Sequence, residues 1–192
     1  MIDDLMVASI ARSQIVHRPS SIATFFMERL WTPWRLSYVT GASEGATDCI
    51  FCEAASTVAD HEALVLLRCP PAYVILNRYP YNNGHLMVVT NRHVPSLQAA
   101  TRGEREALIE LTRRAEIALT EAYAPDGINV GMNLGRPAGA GVVDHLHVHL
   151  VPRWNGDTSF MSVIGNVRVL PEELGQTAAR LRPIFERLTK EG

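Results

Sequence analysis

His145-Leu146-His147-Val148-His149-Leu150-Val151 puts three of the chain's seven histidines into one run, each separated from the next by an apolar residue. Side chains alternate along a strand, so a strand over 145–151 gathers His145, His147 and His149 on one face and turns Leu146, Val148 and Leu150 into a core. At about 3.3 Å per residue the outer two histidines are roughly 13 Å apart, whereas zinc needs ligand nitrogens about 2.0–2.1 Å from one ion. Three histidines so spaced do not easily share a metal, although a two-ligand His-x-His site remains a competitor. A single strand histidine is ordinarily a half-buried polar residue; three in five positions ask for chemistry. Neutral imidazole is a good nucleophile near neutral pH, and a second ring can donate to phosphate oxygens or to a leaving group. For the middle ring to attack through one nitrogen, an acceptor must hold the other as N–H, and the sequence does not name it.

Outward from this run, the segments 63–68, 73–77 and 85–90 read as strands, and Asn82-Asn83-Gly84 between the last two predicts an antiparallel hairpin. Thr101 and Glu104 form a capping-box pattern. Leu108, Leu111, Ala115, Ala118, Leu119 and Ala122 continue it at helical spacing until Pro125 and Gly127. Two further strands, 128–133 and 145–151, flank the loop Gly135-Arg136-Pro137-Ala138-Gly139-Ala140-Gly141. That loop lacks the Gly-Lys-Ser/Thr ending of a P-loop and leads into a strand, so it is either a plain connection or a nest of N–H groups for phosphate. Pro171-Glu172-Glu173 opens a second amphipathic helix carrying Leu174, Ala178, Leu181 and Leu188, with Pro183 as a kink site. The expected class is α+β: an antiparallel sheet with a long helix packed on it and an added C-terminal helix. Residues 1–26 read as an N-terminal extension for which no packed structure is expected, with Met27 as a candidate start, and 27–192 as a single domain.

With 192 residues, 47% hydrophobic, the chain can bury one real core. A formal charge of −2 excludes the strongly basic balance of a nucleic-acid binder but not a small anionic ligand. No apolar run approaches the roughly 20 residues of a membrane span, and Asp3, Asp4 and Arg12 spoil a signal peptide. Three cysteines, an odd number, suit a reducing cytoplasm. Cys49 and Cys52 have the spacing of half a structural zinc site; a redox pair lacks the surrounding βαβ pattern, and two idle thiols are the remaining reading. Cys69 reads as a core thiol. Trp154, directly after Arg153, either stacks on a base or packs against core or a neighbouring subunit.

The whole set resembles the histidine triad (HIT) superfamily. The triad run, Asn77 at a strand end, Gly84-His85 opening the next strand and Asn133 upstream of the triad stand in family order, over about residues 28–160. Arg29-Leu30-Trp31-Thr32-Pro33-Trp34-Arg35, the CxxC segment and Val151-Pro152-Arg153-Trp154 are similar to the bacterial branch that includes diadenosine tetraphosphate phosphorylases. Val142 stands where several family members carry Ser or Thr, a departure from the small-nucleoside phosphoramidase branches. The resemblance implies a HIT-like fold and a nucleotidyl transferase or hydrolase working through a nucleotidyl-histidine. Its substrates would be dinucleoside polyphosphates, with hydrolysis of AMP derivatives or turnover-free nucleotide binding as the alternatives. His147 would be the nucleophile and His149 a phosphate contact. Asn77 would bind the ribose, and Asn133 with the N–H groups around Ala140 and Gly141 the phosphates. The resemblance also completes a zinc site from Cys49, Cys52, His93 and His145, and it implies inorganic phosphate as an acceptor and a homodimer or higher homo-oligomer.

Overall fold

The computed structural model describes residues 49–60, 62, 64–157 and 172–191. The expected extension over 1–26, Met27, Trp31, Trp34 and Pro171 lie outside them.

Five strands form one antiparallel sheet in the order β1-β2-β3-β5-β4: β1 Val65–Cys69, β2 Ala72–Leu76, β3 Leu86–Thr90, β4 Gly127–Gly131 and β5 His147–Arg153. The hairpin of β2 and β3 pairs Ala72 with Thr90 and Leu76 with Leu86, so its turn falls at the predicted Asn82-Asn83-Gly84. Period-2 alternation splits every central strand between two cores. Val74, Leu76, Leu86, Val88, Val148 and Leu150 face the long helix α2, Arg102–Tyr123, and the C-terminal helix α3, Leu174–Lys190. Tyr73, Ile75, Met87 and Val89 face the other way, onto Phe51 and Ala54 of a short helix α1, Ile50–Ser56.

Helix α2 starts where the capping box predicts. Thr101 Oγ1 accepts from the Glu104 N–H at 3.2 Å, while the Glu104 carboxylate accepts from the Thr101 N–H at 2.7 Å. It ends on Ala124 in a left-handed conformation before Pro125. Helix α3 begins at Leu174, capped by Glu173, and runs on through Pro183 with Ala178, Leu181 and Phe185 buried. Among the described residues no helix is long and apolar enough to cross a membrane.

β4 ends at Gly131, short of the expected 133, and two further elements differ from the sequence reading. β5 starts at His147, not at His145, because the Leu146 N–H is taken by the Val94 carbonyl at 2.7 Å and Asp144 turns the chain at φ 65°. His145 therefore precedes the strand while remaining on the face of His147. α1 has no counterpart in the expected elements: of its seven residues only Phe51 and Ala54 are buried, too few for a helical period to register.

Candidate active site and metal centre

Between α1 and the sheet lies a cleft of about 490 Å³. Ile50, Phe51, Ala54 and Thr57 form one wall. Ile75, Leu76, Asn77, Met87, His147 and His149 form the floor, with Gly139, Gly141 and Val142 at one side and Leu64 at the other. Neighbouring strands are about 4.8 Å apart, so three strand intervals put roughly 14 Å between β5 with its histidines and the β1 side with Leu64. That length suits a nucleoside monophosphate laid across the sheet.

His147 is 4% exposed. Its Nδ1–H donates to the backbone carbonyl of His145 at 2.7 Å, which supplies the acceptor the sequence left unnamed and makes Nε2 the lone-pair nitrogen. Burial pushes the imidazole below its ordinary range, and the hydrogen bond to His145 only partly opposes this, so the ring is held neutral. Phe51 of α1 packs on it at 4.9 Å between ring centroids.

A hydrogen-bond chain fixes the neighbouring ring. The Tyr81 N–H donates to Nδ1 of His85 at 3.0 Å, which makes Nε2 of His85 the protonated nitrogen. That N–H in turn donates to Nδ1 of His149 at 3.1 Å, so His149 carries its proton on Nε2. The two strand histidines thus present opposite functions, an acceptor nitrogen on His147 and a donor on His149, with ring centroids 4.8 Å apart. An electron pair and a proton are available side by side.

The other expected residues divide. Asn77, just past β2, lines the cleft, accepts the Tyr79 N–H at 2.9 Å and sets its amide nitrogen 3.4 Å from the His85 ring nitrogens. Gly141 borders the cleft. Ala140 does not: its N–H is turned into the loop, toward the Gly135 carbonyl at 3.4 Å. Asn133 ties the same loop by donating to the Gly139 carbonyl at 3.4 Å. Trp154 stands off the cleft, edge-on to Tyr123 of α2.

Beside this cleft, Cys49, Cys52, His93 and His145 bring one donor atom each within 4.8 Å of one another. Cys49 Sγ lies 3.3 Å and Cys52 Sγ 3.6 Å from His145 Nδ1, and Cys52 Sγ lies 3.4 Å from His93 Nδ1. With Zn–S near 2.3 Å and Zn–N near 2.0–2.1 Å, a tetrahedral ion needs S···N edges of about 3.5 Å. The donor set therefore fits zinc. His145 Nε2–H donates to the Thr90 carbonyl at 2.7 Å, which leaves Nδ1 as the coordinating nitrogen.

This arrangement can be set beside known proteins. The HIT domain pattern matches residues 59–156. A Mycobacterium tuberculosis protein named AP-4-A phosphorylase is 41% identical over 158 residues, 79% of this chain and 80% of that one. The chain belongs to the HIT family. Among solved structures, a Zn-bound histidine triad family protein from Mycobacterium smegmatis superposes with a TM-score of 0.61 at 26% identity, covering 77% of this chain and all of that one. A hypothetical histidine triad nucleotide-binding protein from Sulfolobus tokodaii superposes at 0.58, also at 26% identity, covering 74% and 95%.

Within this HIT site, sequence reasoning named His85 only as a landmark. Its role depends on the Tyr81 N–H, a backbone donor to which no side-chain pattern points. Phe51 was legible only as part of the CxxC segment, yet it packs against both His145 and His147.

Proposed function

We propose that this HIT protein is a nucleotidyl transferase that cleaves diadenosine tetraphosphate by phosphorolysis, giving ADP and ATP. The observation that carries the reading is the pairing of a neutral, buried His147, its lone pair on Nε2, with a His149 oriented to donate from its own Nε2. The 41% identity to a protein named AP-4-A phosphorylase supports this substrate class.

The adenylyl nucleoside lies across the sheet, its base between α1 and β2, its ribose at Asn77 and its α-phosphate at His147. Nε2 of His147 attacks the α-phosphorus and forms a P–N bond while the P–O bond to the leaving ATP breaks. The Nε2–H of His149 supplies the proton to the departing oxygen or steadies its charge. A phosphate oxygen then attacks the adenylyl-histidine, releasing ADP and returning the electron pair to His147. N–H groups of the glycine loop around Gly141, held by Asn133, accompany the phosphates. Cys49, Cys52, His93 and His145 would hold a zinc ion, which supplies a cross-link between α1, the segment after β3 and the start of the triad. The exposed edge strand β4, with Val130 52% exposed, offers a surface for a second copy, and Trp154 beside it suits such an interface better than the cleft.

Incubation with diadenosine tetraphosphate, with and without inorganic phosphate, tests the reading. ADP plus ATP formed only with phosphate is the expected result. AMP plus ATP would make water the acceptor, and no turnover would refute both.

A further inference from the structure

Helix α1 carries much of the cleft wall, yet at seven residues it is far too short to be stable by itself. Its first end is occupied by the cysteines. At its last end the carbonyls that no further helical turn can satisfy meet one side chain, Arg68 of β1. Arg68 Nη1 donates to the Ala55 carbonyl at 2.9 Å; Nη2 donates to the Ala54 carbonyl at 2.9 Å and to the Thr57 carbonyl at 2.6 Å. Nε donates to the Asp60 carboxylate at 2.7 Å. A planar fork carrying positive charge suits the negative end of a helix, and a single lysine ammonium cannot reach all four acceptors in this geometry. Ala54 and Thr57, whose carbonyls Arg68 holds, are themselves cleft residues. From α3, Arg182 holds the same turn by donating to the Asp60 and Val65 carbonyls at 3.2 and 2.9 Å.

We propose that Arg68 is a positioning residue for nucleoside recognition, clamping the C-terminal end of α1 so that the base-side wall of the cleft is formed before substrate arrives. This rests on the proposed nucleotide-binding reading. Arg68 is in β1, three strand intervals from the histidines of β5, so the clamp acts on binding of the nucleoside and not on phosphoryl chemistry.

The test compares wild type, Arg68→Ala, Arg68→Lys and Asp60→Asn by calorimetric titration with AMP and with ribose 5-phosphate, which lacks the base, and by steady-state kinetics on diadenosine tetraphosphate. Arg68→Ala should weaken AMP by about tenfold, as expected for a wall that is no longer preorganised. Ribose 5-phosphate binding should stay within about twofold, and KM should rise with kcat nearly unchanged. Arg68→Lys and Asp60→Asn should fall between, and they carry the test if Arg68→Ala does not fold. A variant with a lowered Tm but wild-type AMP affinity would overturn the clamp, as would equal losses for AMP and ribose 5-phosphate, or a fall in kcat alone. A wild type that binds AMP without turnover would overturn the proposed reaction while AMP affinity still reads Arg68. A wild type that does not bind AMP would overturn both.

Discussion

His147 and His85 carry separable parts of the proposed chemistry, one as bond-forming atom and one as the support that sets a neighbour's proton. In the proposed reaction, replacing His147 with Ala removes the one nitrogen among the described residues placed to receive the nucleotidyl group, so no adduct should form, while the fold, set by Val148 and Leu150 on the opposite face, remains. Replacing His85 with Ala removes the acceptor for the Tyr81 N–H and the donor to His149. His149 then loses its fixed tautomer, and turnover should fall by about 10- to 100-fold, a part of the roughly 10²–10⁴ that a positioned acid–base group supplies. The adduct at His147 should still accumulate in His85→Ala. Trapping with labelled diadenosine tetraphosphate and intact-mass measurement distinguishes the two variants, and an adduct surviving in His147→Ala would remove the nucleophile assignment.

Helix α2 illustrates how an element's start depends on one carboxylate. Glu104, 4% exposed, accepts from Arg92 Nε and Nη2 at 2.9 and 2.7 Å as well as from the Thr101 N–H. The Arg92 hydrogen bonds are the main reason its carboxyl is held down at about 2, from an ordinary 4.5; burial opposes them. A depressed folded value means that stability is fully present above about 4.5 and is lost as pH falls toward 2, because the unfolded chain takes up the proton first. Glu104→Gln should therefore lower Tm near neutral pH, by about 1.5–3 kcal/mol of stability for charged hydrogen bonds, toward the low end because Arg92 is half exposed. The difference from wild type should close as pH falls through that window in thermal melts; a constant gap would contradict the assignment. The capping box was legible in the sequence because its two members are three residues apart, and the hairpin and central strands because their period is local. α1, the start of β5 at His147 and the meeting of His93 with Cys52 were not. The last two are decided by contacts between residues about 40 to 100 positions apart, such as Cys52 with His93 and Leu146 with Val94, and α1 by Tyr73 and Arg68 in later strands; the zinc ligands came from resemblance, not from spacing.

Over the whole molecule, two cores lie on opposite faces of one sheet, and they differ in what holds them. The face toward α2 and α3 is covered by long helices and a continuous apolar cluster. Among the described residues the other is covered by α1, which rests on Phe51 and Ala54, on the Tyr73 hydroxyl donating to the Phe51 carbonyl at 2.7 Å, and on attachments at its two ends. A zinc ion on the Cys49, Cys52, His93 and His145 donor set would be one of those attachments, joining α1, the segment after β3 and the start of the triad. Metal binding at such a site is folding free energy for whatever it ties down. Metal analysis of purified protein should find one zinc per chain. Removing it with a strong chelator should lower Tm and weaken AMP binding, and Cys52→Ser should do the same, while the far-UV circular dichroism contributed by α2 and α3, the two long helices among the described residues, changes little. Because His147 takes its tautomer from the backbone carbonyl of His145 and not from the metal, the stripped protein should still form adduct at high nucleotide concentration. Purified protein free of zinc before any chelation, with a Tm that added zinc does not raise, would refute the site.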